Sequence, residues 1–165
     1  MQTAKLLGAG RVVAAGRRPE ALERARSLGA DAVVKLDEVD DLAAAFREAC
    51  AGIGPSLVID PLWGAPLVAA LAAAAPFARV VQIGQSAGAE ATIPSGLVRG
   101  KSLDILGYTT LAVSYDVVSN GYRELVENTA AGRIRIDLER VSLENAVEAW
   151  RRQREGADTK LVVCP

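Results

Sequence analysis

Short apolar runs alternate with stretches of helical periodicity at intervals of about 25 residues, and this rhythm restricts the fold more than any other feature of the chain. The runs are Val12–Ala15, bounded by Gly10 and Gly16, then Ala32–Leu36, Leu57–Asp60, Arg79–Ile83 and Leu103–Leu106. Runs this short and this uniformly apolar suit parallel strands covered on both faces. The stretches between them read as helices. Pro19 sits at a first helical position, Glu20 and Glu23 fall where the helix dipole favours acids, and Leu22, Ala25 and Leu28 share a face before Gly29 ends it. Leu42, Ala45, Phe46 and Ala49 predict a helix over residues 39–50, and an alanine-rich helix over 64–75 stops at Pro76. Such alternation is the pattern of right-handed crossovers in an α/β sheet. After Gly84 the rhythm loosens: a helix is expected over Asp116–Ala130, a short strand at Ile134–Ile136, a helix over Leu143–Arg154 and a final strand at Lys160–Cys164.

The 165 residues are half hydrophobic, enough for one domain with a sizeable core. Nineteen basic residues face twenty acidic ones without a basic stripe, and aromatic residues are few, so nothing favours nucleic-acid binding. There is no histidine, which removes histidine-based acid/base and nucleophilic chemistry. Cys50 and Cys164 are far apart and cannot supply a four-ligand structural zinc site; they read as small buried hydrophobes in a reducing compartment. The uncharged stretch Pro61–Ala78 is mostly alanine and carries Pro66 and Pro76, which suits a buried helix better than a bilayer span. The apolar run Leu6–Gly10 is too short for a secretory core. A soluble, cytoplasmic protein with no membrane partner is the expectation.

Five stretches carry a family likeness. GAGRVVAAGRRPEALERARSLGADAVV (8–34), LVIDPLWG (57–64), ARVVQIG (78–84), KSLDILGYT (101–109) and VSLENAVEAWRRQREGADTKLVV (141–163) resemble, in this order and spacing, the medium-chain dehydrogenase/reductase family of zinc-type alcohol dehydrogenases and quinone oxidoreductases. The resemblance implies a Rossmann-type doubly wound parallel sheet. It assigns the first four stretches to that sheet's second and third strands, then its fourth, fifth and sixth. The fifth stretch resembles a helix and strand that return to a catalytic domain. It divides the chain into an incomplete dinucleotide-binding domain, residues 1–138, and a tail of the catalytic domain, residues 139–165. The family's first strand and glycine-rich phosphate loop have no counterpart here. MQTAKLLGAG (1–10) looks like the end of the helix after that loop, so the DNA upstream of Met1 is expected to encode an apolar strand and a G-x-G-x-x-G-like loop. Gly8 and Gly10 form a G-x-G, but they precede a strand instead of opening a helix, and read as a turn.

The sharpest site signal is Gly16-Arg17-Arg18. An acid at the end of the second Rossmann strand binds the ribose 2′-hydroxyl of NAD, and the resemblance puts Gly16 in that position. Gly16 leaves room for the 2′-phosphate of NADP(H), and Arg17, with Arg18 second, offers planar, permanently charged donors to it. Two solvated arginines before a helix are the plainer alternative. Asp60 lies at the carboxyl end of a strand, where open α/β sheets bind ligands, or else it caps the turn that follows. The resemblance sets Ile83 and Gly84, followed by Gln85, against the nicotinamide; an ordinary tight turn accounts for the glycine equally well. Tyr108 could donate a proton, but nothing in the sequence places it at a substrate and packing at a subunit interface is the better reading; Arg151, Arg152 and Arg154 read as a solvated helix end.

The family's activity would be NADP(H)-dependent hydride transfer to or from a small carbonyl, quinone or alcohol, with any zinc ligands outside this chain. The rival expectation is an inert fragment or a nucleotide-binding module. A methyltransferase shares the alternation, yet it would want an acid where Gly16 stands and leaves the tail unexplained. A homodimer through residues around 103–111 is implied by the resemblance and by a poorly protected apolar edge at Leu103, Ile105 and Leu106. With the order 3-2-1-4-5-6, the missing strand is central. Val12–Ala15 and Leu57–Asp60 must then pair directly or leave open edges. The isolated chain is accordingly expected to be poorly soluble or loosely packed and to bind NADPH weakly.

Overall fold

The computed structural model describes residues 1–157 and 159–165, which form an α/β chain of two compact units, Met1–Tyr122 and Arg123–Pro165. In chain order the first elements are α1 (Gln2–Leu6), β1 (Val13–Gly16), α2 (Pro19–Ser27), β2 (Ala32–Lys35), α3 (Leu42–Ala49) and β3 (Leu57–Asp60). They are followed by α4 (Gly64–Ala73), β4 (Arg79–Gln82), α5 (Ser95–Lys101), β5 (Asp104–Gly107), a short 3₁₀ turn at Thr110–Ala112 and α6 (Tyr115–Ala130). The chain closes with β6 (Leu138–Ser142), a 3₁₀ turn at Leu143–Asn145, α7 (Ala146–Glu155) and β7 (Lys160–Cys164).

Among the described residues all strand pairs are parallel. In the first unit β1 pairs with β2, and β3, β4 and β5 form a separate sheet in that order. Helices α2 and α3 form where sequence chemistry places them. Pro19 opens α2 with Glu20 in its first turn, and Arg24 and Arg26 lie in its last turn. Asp41 caps α3 by accepting from the Ala44 amide at 2.9 Å. The all-apolar α4 is the centre of the core. Leu67 and Leu71 join Ala74, Ala78, Val80 and Leu103 on one side, and Ala70 and Ala73 join Val34 and Phe46 on the other. Its carboxyl-terminal carbonyls are satisfied by two cations. Lys101 Nζ donates to Leu71, Ala72 and Ala74 at 3.2, 2.7 and 2.8 Å, and Arg47 donates to Ala72 at 3.1 Å.

The gap foreseen between β1 and β3 is left open. Neither strand is hydrogen-bonded to the other, although Val13 and Val58 pack on the same cluster beneath α3 and α4. Val58 faces that core. Its neighbours Leu57 and Ile59, which strand alternation sends to the other face, remain 57% and 55% exposed.

Two local readings change, and one helix is added. Ile134–Ile136 is not a strand; the Ile134 amide closes back on the Asn128 carbonyl at 3.2 Å, and pairing begins only at Leu138. The strand expected at Leu103–Leu106 runs one residue later, because Leu103 is drawn into the core while Asp104 pairs with Arg79 in register. Helix α5 lacks a sequence signature, having Gly96 and Gly100 and no side-chain cap. In the second unit β6 and β7 pair over five residues, and Arg152 on α7 holds Glu139 on β6 through two bonds of 2.7 and 2.8 Å.

Candidate functional site

The carboxyl ends of the parallel strands of the first unit carry the residues singled out above, in two groups. The first lies where β1 turns into α2. Gly16 ends the strand, Arg17 and Arg18 are exposed, and Arg18 is the N-cap residue of α2 with extended backbone. A Cβ added to Gly16 would lie 3.3 Å from Leu22 Cδ2, so any side chain there must push aside the flexible tip of Leu22. Beside it, β2 ends on Lys35, which is paired with Gly16 in register and holds an ion pair with Glu38. Lys35 escaped the sequence reading; the Lys-x-x-Glu spacing of residues 35–38 was its only signal.

The second group joins the ends of β3 and β4. Asp60 is the only buried charged side chain among the described residues, 4% exposed. Its carboxylate turns back on its own loop: Oδ1 accepts from the Leu62 and Trp63 amides at 3.0 and 3.2 Å, and Oδ2 from Trp63 at 3.1 Å. Asp60 is therefore the turn cap that the sequence left open as its second reading. The turn forces Trp63 to φ +59°, a region bulky residues avoid, while its half-buried ring packs against the Leu67–Val80 core. The loop after β4 is stitched to this turn. Ser86 donates to the Pro61 carbonyl through both its amide and its hydroxyl at 3.2 Å, and the Ala87 amide donates to Leu62 at 2.8 Å. Gly84 is required at this junction, since a Cβ would come within 2.8 Å of the Pro61 oxygen. Ile83 and Gln85 flank it on the surface, and Gln82 Nε2 donates to the Gly84 carbonyl at 2.7 Å. The sequence reading missed Trp63 and Ser86, whose roles depend on contact between two loops.

Asp60, Ile83, Gly84 and Gln85 thus belong to one hydrogen-bonded pair of loops, and Gly16, Arg17 and Arg18 to a separate basic turn on the other sheet. A cleft of 680 Å³ opens elsewhere, lined by Asp40, Asp41, Gly64, Val68 and Glu90 among others. It has no basic lining residue, so it does not suit a pyrophosphate. Among the described residues no group of three or more Cys, Asp or Glu could hold a metal ion, and the chain has no histidine. The described residues do not fit a zinc site. Burial pushes the Cys50 thiol up, which disfavours its reactive thiolate. No helix among the described residues is long and apolar enough to cross a membrane.

The zinc-binding dehydrogenase family model matches residues 1–130. No curated protein matches the sequence. Among solved structures, AibC superposes with a TM-score of 0.83 at 29% identity over 99% of this chain and 44% of its own. An NAD-dependent alcohol dehydrogenase gives 0.85 at 29% identity over 99% and 46%. A quinone oxidoreductase from Pseudomonas syringae pv. Tomato DC3000 gives 0.81 at 22% identity over 99% and 51%, a likeness of fold. The chain thus spans about half the length of these proteins or less.

Proposed function

The chain belongs to the zinc-binding dehydrogenase family, and on that premise we propose that it is the coenzyme-binding portion of an NADP(H)-dependent oxidoreductase of the alcohol dehydrogenase and quinone oxidoreductase kind. The reaction would be hydride transfer between NADPH and a small carbonyl, quinone or alcohol. This chain's contribution would be to bind and orient the coenzyme: Arg17 and Arg18 at the adenosine 2′-phosphate, and the Ile83–Gln85 backbone beside the nicotinamide. Asp60 would hold that backbone in place through its own loop. The bound coenzyme supplies or accepts the hydride.

The observation that carries the coenzyme preference is Gly16 followed by two exposed arginines at the carboxyl end of β1. An acidic side chain at position 16 would repel a 2′-phosphate, and Gly16 carries none. The preference rests on these residues and not on the relatives, one of which is NAD-dependent. A homodimer through residues 103–111 is part of the same reading, supported by a β5 edge that has β4 on one side only and leaves Leu106 44% exposed. A cytoplasmic location also belongs to it. The second reading is a nucleotide-binding module that binds the coenzyme without turnover.

Titration with NADPH and NADH tests the proposal. NADPH is expected to bind more tightly, and Arg17→Ala to remove most of that preference, about tenfold or more for one charge-assisted hydrogen bond. Gly16→Asp should reverse the preference. Equal affinities in the unmodified chain would refute the assignment, and binding without turnover would select the module reading.

A further inference from the structure

We propose that Lys35 is a further recognition residue for the coenzyme's 2′-phosphate, kept closed by Glu38 until a phosphate displaces that carboxylate. The inference rests on the NADP(H) reading of Gly16–Arg18 and extends it to the neighbouring strand.

The geometry begins with register. Lys35 is the partner of Gly16, and the Leu36 amide donates to the Gly16 carbonyl at 2.9 Å, so β1 and β2 finish level. The Lys35 side chain is largely enclosed, 25% exposed, and ion-paired with Glu38, whose own side chain is 62% exposed. Glu38 holds the Lys35 proton most strongly, and Asp37 and Glu20 add to it. Glu20 stands in the first turn of α2. Paired residues of neighbouring strands present their side chains on one face, and a Cβ on Gly16 would lie 3.3 Å from Leu22 of α2, so Lys35 leaves β2 on the face that α2 covers.

Arg17, Arg18 and Lys35 are thus the cations at the level carboxyl ends of β1 and β2, and Glu38, Asp37 and Glu20 are the acids that act on Lys35. A 2′-phosphate carries more charge than a carboxylate and presents three strong acceptor oxygens. It can take over the Lys35 ammonium, a compact donor with three hydrogens, while the exposed Glu38 swings into water at small cost. An adenosine ribose with a free 2′-hydroxyl brings no charge to drive that exchange, so the Lys35–Glu38 pair stays closed. The pair thereby widens the discrimination that Arg17 begins.

The test uses two nucleotides that fill only the adenosine end, adenosine 2′,5′-bisphosphate and AMP, titrated into the 165-residue chain by calorimetry. The bisphosphate should bind more tightly than AMP. Lys35→Ala should weaken the bisphosphate about tenfold and leave AMP unchanged, and Glu38→Gln should strengthen the bisphosphate and leave AMP unchanged. The gain in Glu38→Gln cannot come from a misfolded variant. If the unmodified chain binds both nucleotides equally, the NADP(H) reading itself fails. If the preference is present but survives Lys35→Ala intact, the inference about Lys35 alone fails. Equal weakening of both nucleotides by Lys35→Ala would make the residue structural and also overturn it. No binding of either nucleotide at millimolar concentration would overturn both.

Discussion

Replacing Asp60 by alanine separates a loop-positioning role from a direct ligand role. In the native loop the carboxylate accepts from the Leu62 and Trp63 amides at 3.0 to 3.2 Å, and the side chain is 4% exposed. Removal orphans two backbone donors. Hydrogen bonds to a charged acceptor contribute about 1.5–3 kcal/mol each, and the lower figure applies because water can reach amides that are only part-buried. The loss is about 3 kcal/mol, and Trp63 at φ +59° would then relax toward ordinary backbone. For a chain of this size that corresponds to a fall of about 6–12 °C in the thermal midpoint. Asp60→Asn keeps Oδ1, which serves both amides, and should cost only about 1 kcal/mol. Hydrogen exchange gives the sharper readout. In Asp60→Ala the Ser86 and Ala87 amides should lose protection together with Leu62 and Trp63, because their acceptors are Pro61 and Leu62. An alanine variant with an unchanged midpoint, or loss of protection confined to Leu62 and Trp63, would refute the positioning role.

Gly54→Ala should abolish soluble expression, since the new Cβ would stand 2.1 Å from the Ala73 carbonyl on a backbone at φ +88°; a soluble variant with an unchanged circular dichroism melt would contradict this. Asp31 is held below the usual carboxylate range by Lys5, with which it forms a 2.6 Å ion pair, and by the Val12 amide. The unfolded carboxylate takes its proton first as pH falls. Its stabilisation is therefore full above the ordinary aspartate value and lost as pH drops through the lower folded one. Asp31→Asn should show a shallower acid loss of stability in urea titrations, and an identical acid limb would count against the pair. The uncovered Leu57 and Ile59 should bind an apolar dye, and Ile59→Lys should reduce both dye fluorescence and light scattering; an unchanged signal would show that this face is covered in solution.

The strand rhythm was legible because each run had to be apolar to lie in a parallel sheet, and Leu57–Asp60 and Lys160–Cys164 fall where the pattern places them. Helix α2 was equally plain, because Pro19, Glu20 and Gly29 mark its ends chemically. Helix α5 was not, since a seven-residue helix with two glycines has no periodicity to read and is held by packing of Leu97 and Val98 on the core. Ile134 shows the converse error: its apolar neighbourhood looked like a strand, but its burial comes from closing the end of α6. At the site, Gly16, Arg17 and Arg18 could be named because they are consecutive. Lys35 and the Pro61–Ser86 stitch could not, because cross-strand register and loop-to-loop contact leave no local mark.

Chemical-shift mapping tests the account most directly. NADPH added to the isotopically labelled chain should shift the amides of Gly16, Arg17 and Arg18 and those of Ile83, Gly84 and Gln85, even where affinity is weak. NADH should leave the first group nearly still. Shifts confined to the acidic cleft around Asp40, Asp41 and Glu90, or equal shifts at Gly16–Arg18 with both coenzymes, would contradict it.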